Sequence, residues 1–282
     1  FAFTFFWNAV LPQFEVITLQ ALAEQRDKYS RVRVWGSIGF IAAVVGLGVL
    51  FDYVPLAWLI PICWTAFVLI WLTTLWVPRQ QPFLHQGVVP RFLHVLKRPE
   101  VLVFFIVSLL VQLGHGPYYT FYSIYMEGFG FSKTEIGLLW ALGVFAEVLI
   151  FIVMHRLLAR LGIRRLVLFS LMICAIRWTL VGLYPEVLPV MLLSQAMHAV
   201  TFGCLHAAGI AMVQHFFPAS LQGQGQALYS SFGFGVGGAL GAYGSGILWA
   251  AYGGSATFIA AAVVSFVAML MAWKWLVLRP MA

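Results

Sequence analysis

The sequence has little charge. Only 9% of its 282 residues are Asp, Glu, Lys or Arg, whereas 62% are hydrophobic and the mean hydropathy is +0.95. Soluble domains carry roughly 25% charged residues, so an ordinary soluble protein is excluded. Acidic residues are fewer than basic residues, and the net charge is +7. Because the basic residues cluster in short segments between apolar runs, they indicate cytoplasmic loops of a membrane protein, and we expect no nucleic-acid partner.

Paired cysteines and catalytic motifs are also missing from the sequence. Cys63, Cys174 and Cys204 stand singly in apolar runs, so neither a disulfide framework nor a metal site is predicted. The aqueous segments hold no Ser-His-Asp set and no nucleotide-binding loop, and we therefore expect neither an enzyme nor a cofactor. Phe1 begins within an apolar run, without an initiator Met or a signal-peptide pattern, so we expect a sequence shortened at its N-terminus.

Long apolar runs are what the sequence has in abundance. A spanning helix needs about 20 mostly apolar residues. Nine such runs occur, near residues 1–22, 34–52, 56–77, 101–125, 136–154, 165–184, 187–213, 225–251 and 255–277. They are too long and too continuously apolar for barrel strands. The sequence therefore predicts an all-α integral membrane protein that crosses the bilayer about nine times.

Basic residues predict the orientation and the division of the chain. The segments 26–33, 79–98, 156–165 and 274–279 are basic and fall on one side of the membrane if the spans alternate. The positive-inside rule then places the C-terminus in the cytoplasm of a bacterial inner membrane. The basic, proline-rich segment 78–100 is predicted to be a cytoplasmic linker. Residues 1–77 would form the last three helices of an N-terminal bundle, and residues 101–282 a C-terminal six-helix bundle.

Charged side chains within the apolar runs are the first functional candidates, since each costs about 2.5–3.5 kcal/mol at the bilayer centre. Glu15 follows Pro12 by three residues in the first run, and Arg33 opens the second. Antiparallel neighbours could bring the two together as an ion pair. Alternatively, Arg33 reaches the cytoplasmic interface while Glu15 faces a water-filled crevice. The spacing leaves both interpretations open.

Glu147 lies deep within its apolar run, where a carboxylate is costly when charged and is suited to reversible protonation. We predict a proton or substrate role for it. The structural alternative is an ion pair with Arg177, which occupies the middle of the next run.

The seventh run carries a polar stripe. Gln195, His198 and Thr201 are spaced by three residues and fall on one broad helical face. His198 is the proton-binding candidate of this stripe, because histidine titrates at physiological pH. His206, further along the same run, carries little weight alone, since single core histidines are often satisfied by a carbonyl group.

Two other segments depart from plain apolar helix. His115 is followed by Gly116, Pro117 and Tyr118, which predicts a helix interruption of the kind found at transporter binding sites. The alternative is a packing kink with an aromatic belt. The eighth run is rich in glycine, and its glycines at 233, 237 and 241 form one smooth face for close helix packing.

Several stretches resemble a known family. KYSRVRVWGSIGF, QLGHGPYYTFYSIYM, LLWALGVFAEVLIF, IRWTLVG and MHAVTFGCLHAAG are similar to the 3-phenylpropionic acid transporter group of the major facilitator superfamily, a relative of the lactose permease. The resemblance runs from Phe1 to about Arg279. It implies the major facilitator fold with about nine of its twelve transmembrane helices present.

The resemblance also implies roles for individual residues. By position, Glu15 and Arg33 would bind substrate, and Phe40 would stack on its ring. Glu147, Arg177 and His198 match buried positions that serve substrate binding and proton coupling. The relative's proton-binding Glu is replaced here by Thr201, and a nearby Lys by Gln195. The proton would therefore be carried by Glu147 together with His198 or His115.

These observations predict a monomeric, proton-coupled symporter that imports a small organic solute by alternating access and is driven by the proton gradient. The leading substrate class is an aromatic carboxylic acid such as a phenylpropionate. The expected substrate-binding residues are Glu15, Arg33, Phe40, His115, Tyr118, Tyr122 and Arg177, and the expected proton-coupling residues are Glu147 and His198. The alternatives are a sugar or nucleoside symporter of the same fold, a non-transporting membrane subunit and a membrane enzyme.

Overall fold

The chain is mainly helical in the residues that the computed structural model describes, which are 29–76 and 89–278. The α-helices are α1 (Tyr29–Tyr53), α2 (Leu59–Thr74), α3 (Val89–Leu96), α4 (Pro99–Gly128), α5 (Lys133–Leu161), α6 (Ile163–Leu183), α7 (Leu188–Ala196), α8 (Leu205–Phe216), α9 (Gln222–Leu228) and α10 (Gly238–Trp275). Two π-helical segments, Ala199–Cys204 and Tyr229–Gly237, join α7 to α8 and α9 to α10. No strand occurs in the two described ranges, which agrees with the predicted all-α fold.

Seven stretches of the described chain are long and apolar enough to cross a membrane. Six of them match single predicted spans. The seventh, Gln222–Trp275, has 54 residues, far more than the roughly 20 that one crossing needs. Gly253 interrupts it with a φ of 78°, a conformation that glycine adopts without strain. The break matches the boundary between the predicted spans 225–251 and 255–277, while the predicted span 1–22 lies outside the described residues.

A short amphipathic helix lies within the predicted linker. Phe92, Val95 and Leu96 of α3 are partly buried against the core of the C-terminal helices. Phe92 stacks on Phe217 with the ring centroids 5.5 Å apart. This helix of the predicted linker therefore packs against the C-terminal helices through its apolar side.

The glycine-rich face predicted at 233, 237 and 241 packs against α4. A Cβ atom on Gly237 would lie 2.7 Å from the carbonyl oxygen of Leu109, and one on Gly241 would lie 2.7 Å from that of Leu113. Real Cβ atoms do not come so close, so only glycine allows these backbones to touch. This contact fixes α4 as a central helix of the bundle.

The predicted interruption of the helix at His115 is wrong. α4 runs continuously from Pro99 to Gly128 and includes Pro117. Gly116 lies so close to Gly241 that an added Cβ would overlap its backbone. A proline inside a membrane helix is tolerated where neighbouring helices support the backbone, and this close contact with α10 provides such support.

Glycines also bring α1 close to α5. A Cβ atom on Gly48 would lie 2.6 Å from the carbonyl oxygen of Lys133, and one on Gly137 would overlap the carbonyl group of Val44. The backbones of the two helices are therefore in direct contact. This contact joins a helix that precedes residues 77–88 to one that follows them.

A carboxylate at the end of α1 also binds the start of α5. Asp52 accepts hydrogen bonds from the backbone N–H groups of Lys133, at 2.8 Å, and Thr134, at 3.0 Å. These N–H groups belong to the first turn of α5, where no intrahelical acceptor is available. A negative charge is also favourable at the positive end of a helix dipole. Asp52 therefore caps a helix on the other side of the predicted linker.

Candidate functional site

A buried arginine lies at the centre of the polar groups in the C-terminal helices. Arg177 of α6 is 0% exposed. Its Nη1 donates to Thr201 Oγ1 at 2.9 Å and to His198 Nδ1 at 3.0 Å. Its Nε and Nη2 atoms have no hydrogen-bond acceptor among the described residues. The N–H groups on that edge of a guanidinium are parallel and match the two oxygens of a carboxylate.

His198 links this guanidinium to a carboxylate. Arginine only donates hydrogen bonds, so His198 Nδ1 must accept, and the neutral ring then carries its proton on Nε2. Nε2 lies 3.5 Å from Oε2 of Glu147. The alternative prediction was an ion pair between Glu147 and Arg177. In the structure, the imidazole ring of His198 lies between the two side chains and links them.

The predicted polar stripe of Gln195, His198 and Thr201 faces this cluster. The backbone changes from α- to π-helical at Ala199, directly after His198, and such π segments often mark functional sites. Tyr118 donates to Gln195 Oε1 at 2.8 Å. Gln195 Nε2 is a buried donor with no acceptor within the described ranges. The stripe thus contributes one more N–H group whose hydrogen bond is not made within the described residues.

Aromatic rings surround the arginine. The guanidinium carbon of Arg177 lies 4.5 Å from the centroid of the Tyr118 ring and 4.4 Å from that of Trp178. The Trp140 ring lies 4.4 Å from Tyr118 and 5.6 Å from Tyr122. Such rings stabilise a buried cation through their faces. They also offer an apolar wall beside the free edge of Arg177.

Phe40 reaches this aromatic wall from α1. Its ring is edge-on to Trp140 with the centroids 6.5 Å apart, and 41% of the residue is exposed. Phe40 is the residue that the family resemblance assigned to the substrate ring. Its contact with the site runs through Trp140.

His115 lies beside the wall but is hydrogen-bonded within its own helix. Its Nδ1 lies 2.8 Å from the carbonyl oxygen of Val111, so Nδ1 must carry the proton and donate. Nε2 is then a buried acceptor without a donor in the described part of the chain. The ring is edge-on to Trp178 at 5.1 Å. Nε2 of His115 can therefore accept a hydrogen bond next to the cluster.

Two predicted substrate residues cannot be placed. Glu15 lies outside the described residues. Arg33 lies within α1, but its side chain is outside what the structure describes. Their pairing stays a prediction.

Three residues of the site were not predicted to bind substrate. Trp140 precedes Glu147 by seven residues, two helical turns along the same face of α5, and this spacing could have identified it. Trp178 follows Arg177 directly. Gln195 was noted as part of the polar stripe and as a replacement for lysine, but not as a substrate-binding residue. Its role depends on the hydrogen bond with Tyr118, a residue 77 positions away, which no local pattern indicates.

The described residues of this cluster do not form a metal-binding site. Among the described residues, no group of three or more His, Cys, Asp or Glu side chains could hold a metal ion. The arrangement can instead offer the N–H groups of Arg177 to an anion, next to the Glu147 carboxylate.

Comparison with known families decides the class of protein. Residues 1–260 match the MFS_1 like family. The chain belongs to that family.

Known bacterial relatives agree with this assignment. The chain is 28% identical over 240 residues to a probable 3-phenylpropionic acid transporter of Escherichia coli K12, and 26% identical over 239 residues to a maltose permease of Geobacillus stearothermophilus. These matches cover 83% and 82% of this chain. They span 62% and 58% of the relatives' own lengths, respectively.

Solved structures show the same fold. Two crystal structures of the nucleoside transporter NupG superpose with TM-scores of 0.76 and 0.75, at 18% and 19% sequence identity. The superpositions cover 88% and 92% of this chain, and 67% and 71% of the NupG chains. At such identity the likeness concerns the fold alone, and it confirms the predicted partial major facilitator fold.

Proposed function

We propose that the transporter containing this chain is a proton-coupled symporter that imports an aromatic carboxylic acid, of the phenylpropionate class, by alternating access. The substrate carboxylate binds the free edge of Arg177, and the substrate ring lies against Trp140, Tyr118 and Phe40. Glu147 and His198 carry the coupled proton.

The observation that carries this proposal is the excess of buried donors. Arg177 Nε and Nη2, Gln195 Nε2 and Trp178 Nε1 are all N–H groups without an acceptor among the described residues. Unpaired buried donors are costly, and a ligand rich in acceptors would satisfy them. A carboxylate offers only acceptors, whereas a sugar hydroxyl also brings a donor. The cluster therefore favours an acid over a sugar.

Charge balance supplies the reason for proton coupling. Among the described residues, the cluster holds one cation, Arg177, and one carboxylate, Glu147, and a bound substrate carboxylate would add a negative charge to it. Net charge in a low-dielectric interior is expensive. A proton on Glu147 restores neutrality, so the acid and the proton each favour binding of the other. His198 is hydrogen-bonded to Arg177 and faces Glu147, so it couples the protonation of Glu147 to the binding of the acid at Arg177.

The test is uptake in proteoliposomes that contain the transporter. We expect 3-phenylpropionate to accumulate when the outside is made acidic, and Glu147→Gln to abolish this accumulation while counterflow exchange continues. Arg177→Gln should abolish both activities. Arg156→Gln is the matched control, because Arg156 is exposed at the far end of α5, and it should retain both.

Competition separates the rival solutes of the same fold. One relative is a maltose permease, and the structural neighbours are nucleoside transporters. Excess maltose or uridine should leave 3-phenylpropionate uptake unchanged. Accumulation of either rival solute, with no uptake of the acid, would refute the proposed substrate class.

A further inference from the structure

Two buried polar groups lie beside the aromatic wall and are not needed for the proposed contact between Arg177 and a carboxylate. Gln195 and Tyr122 are each 0% exposed. Gln195 Nε2 and the Tyr122 hydroxyl group have no hydrogen-bond partner among the described residues. Unpaired polar groups are costly in a buried site, and the two oxygens of the carboxylate are already matched by Nε and Nη2 of Arg177. The two groups therefore indicate a second polar group on the ligand.

Tyr118 brings these two groups to one side of the site. Its hydroxyl group donates to Gln195 Oε1 at 2.8 Å, and its ring centroid is 5.0 Å from that of Tyr122. The Tyr122 hydroxyl group is near enough to Gln195 for the two side chains to interact, yet no hydrogen bond joins them. The Tyr122 ring is edge-on to Trp140, with the centroids 5.6 Å apart. Both polar groups thus flank the rings that are proposed to hold the substrate ring.

The two groups lie in a layer of their own. Tyr122 comes one helical turn after Tyr118 in α4, and Gln195 comes about one turn before His198. A turn advances by about 5.4 Å. If the spans alternate, α4 and α7 are antiparallel, so both steps lead away from Arg177 in the same direction. In a phenylpropionate the ring is separated from the carboxylate by a two-carbon chain, so a substituent on the ring can reach this layer.

The chemistry of this layer fits a neutral hydroxyl group. Amide and phenol groups are uncharged, so a second carboxylate would meet no cation on Gln195 or Tyr122. The Tyr118 hydroxyl group can donate to one end of the Gln195 amide or accept from the other, so the remaining end needs either an acceptor or a donor. A hydroxyl group supplies both, whereas an ether oxygen supplies only an acceptor.

We propose that Gln195 and Tyr122 form a second polar subsite, which binds a hydroxyl group on the substrate ring, so that the preferred substrate is a ring-hydroxylated phenylpropionate. The inference rests on the proposed function, because it takes the substrate carboxylate to be bound by Arg177. The amide of Gln195 and the hydroxyl group of Tyr122 each form one hydrogen bond with the ring hydroxyl group. Both side chains thereby determine specificity among aromatic acids.

The test compares three acids of the same chain length on the whole transporter. Isothermal titration calorimetry gives the Kd of 3-phenylpropionate and of its 3-hydroxyphenyl and 4-hydroxyphenyl analogues. One net hydrogen bond tightens binding by about 2- to 12-fold. With two such bonds, we expect at least one hydroxylated acid to bind about 5- to 150-fold more tightly than the unsubstituted acid.

Tyr122→Phe and Gln195→Leu each remove one of the two proposed bonds. In either variant, the ratio of the two Kd values should fall by about 2- to 12-fold. Because the ratio compares two ligands on the same variant, a change in packing that weakens both acids cancels. Tyr243→Phe is the matched control, since Tyr243 is 73% exposed on α10, and it should keep the full preference.

Thermal unfolding of the ligand-free transporter gives a separate readout. Removing a buried hydroxyl group that has no partner does not break a hydrogen bond, so Tyr122→Phe should keep or raise the Tm. A clear fall in Tm would overturn the subsite, because the hydroxyl group would then be bonded within the fold.

The outcomes separate this inference from the proposed function. Equal Kd values for the three acids, or a preference that both variants retain, would overturn the subsite while 3-phenylpropionate still binds. Binding of none of the three acids would refute the proposed function itself.

Discussion

The substitution Arg177→Lys tests whether the arginine binds the substrate carboxylate or only supports the bundle. Lysine keeps the positive charge and can donate to Thr201 or His198. It cannot present two parallel N–H groups to a second partner, because its ammonium group is a single point of charge. The variant therefore removes the free edge of the guanidinium and keeps the charge.

The expected loss follows from the bonds that the edge would make. Nε and Nη2 would each donate one charge-assisted hydrogen bond to the carboxylate, and lysine can replace at most one. A hydrogen bond to a charged group contributes about 1.5–3 kcal/mol. At about 1.4 kcal/mol per factor of ten, we expect the Kd for 3-phenylpropionate to rise about 10- to 150-fold.

The assay is a double comparison by isothermal titration calorimetry. Unmodified protein and Arg177→Lys are each titrated with 3-phenylpropionate and with its neutral amide, which has the same ring and chain. The amide presents one carbonyl oxygen and cannot use both donors, so its affinity should change little. The difference between the two ligands isolates the contact between Arg177 and the carboxylate.

Equal losses for the acid and the amide would refute the reasoning, because Arg177 would then act only through the fold. An unchanged Kd for both ligands would refute it as well. Arg156→Lys, at an exposed position of α5, should bind both ligands as the unmodified protein does.

Three further predictions address proton coupling, binding of the substrate ring and the backbone contact between α1 and α5. Trp140→Leu should raise the Kd for 3-phenylpropionate about 2- to 10-fold, since an aromatic pair contributes about 0.5–1.5 kcal/mol, and should leave the Kd of an aliphatic acid unchanged; equal losses would remove Trp140 from the ring site. Glu147→Asp should retain accumulation in part where Glu147→Gln loses it, and equal uptake by both in vesicles would place the proton elsewhere. Asp52→Asn should weaken the cap on α5, and Gly137→Ala should force Val44 away from α5. Both variants should therefore lengthen the distance between spin labels at the end of α1 and the start of α5. An unchanged distance distribution would contradict both expectations.

The transmembrane architecture could be predicted from the sequence because it depends on local composition. A run of apolar residues long enough to cross a bilayer has few other stable forms. Even the break at Gly253 falls in the short, glycine-containing interval between the predicted runs 225–251 and 255–277. The predicted interruption at His115 failed for a nonlocal reason, since Gly116 fits against Gly241 on a distant helix and α4 remains continuous across Pro117.

The site was predictable as a set of residues but not as a geometry. Glu147, Arg177 and His198 were identified because charge is costly in a membrane. Their hydrogen-bond partners were not predicted. The helical period indicates the face on which a residue lies, but it does not indicate which ring nitrogen of a histidine contacts which neighbouring helix. These partners matter for the chemistry, because they leave Nε and Nη2 of Arg177 without an acceptor among the described residues.

Thr201 bears on the proposal that Glu147 and His198 carry the proton. The family resemblance places a proton-binding Glu at position 201, whereas Thr201 accepts a hydrogen bond from Arg177 and carries no charge. A carboxylate there would neutralise Arg177 and compete with an anionic substrate for its N–H groups. With threonine at that position, the guanidinium keeps its charge for the substrate, and the carboxylate that balances it lies on the other side of His198. The replacement is therefore consistent with a carrier whose solute supplies the negative charge.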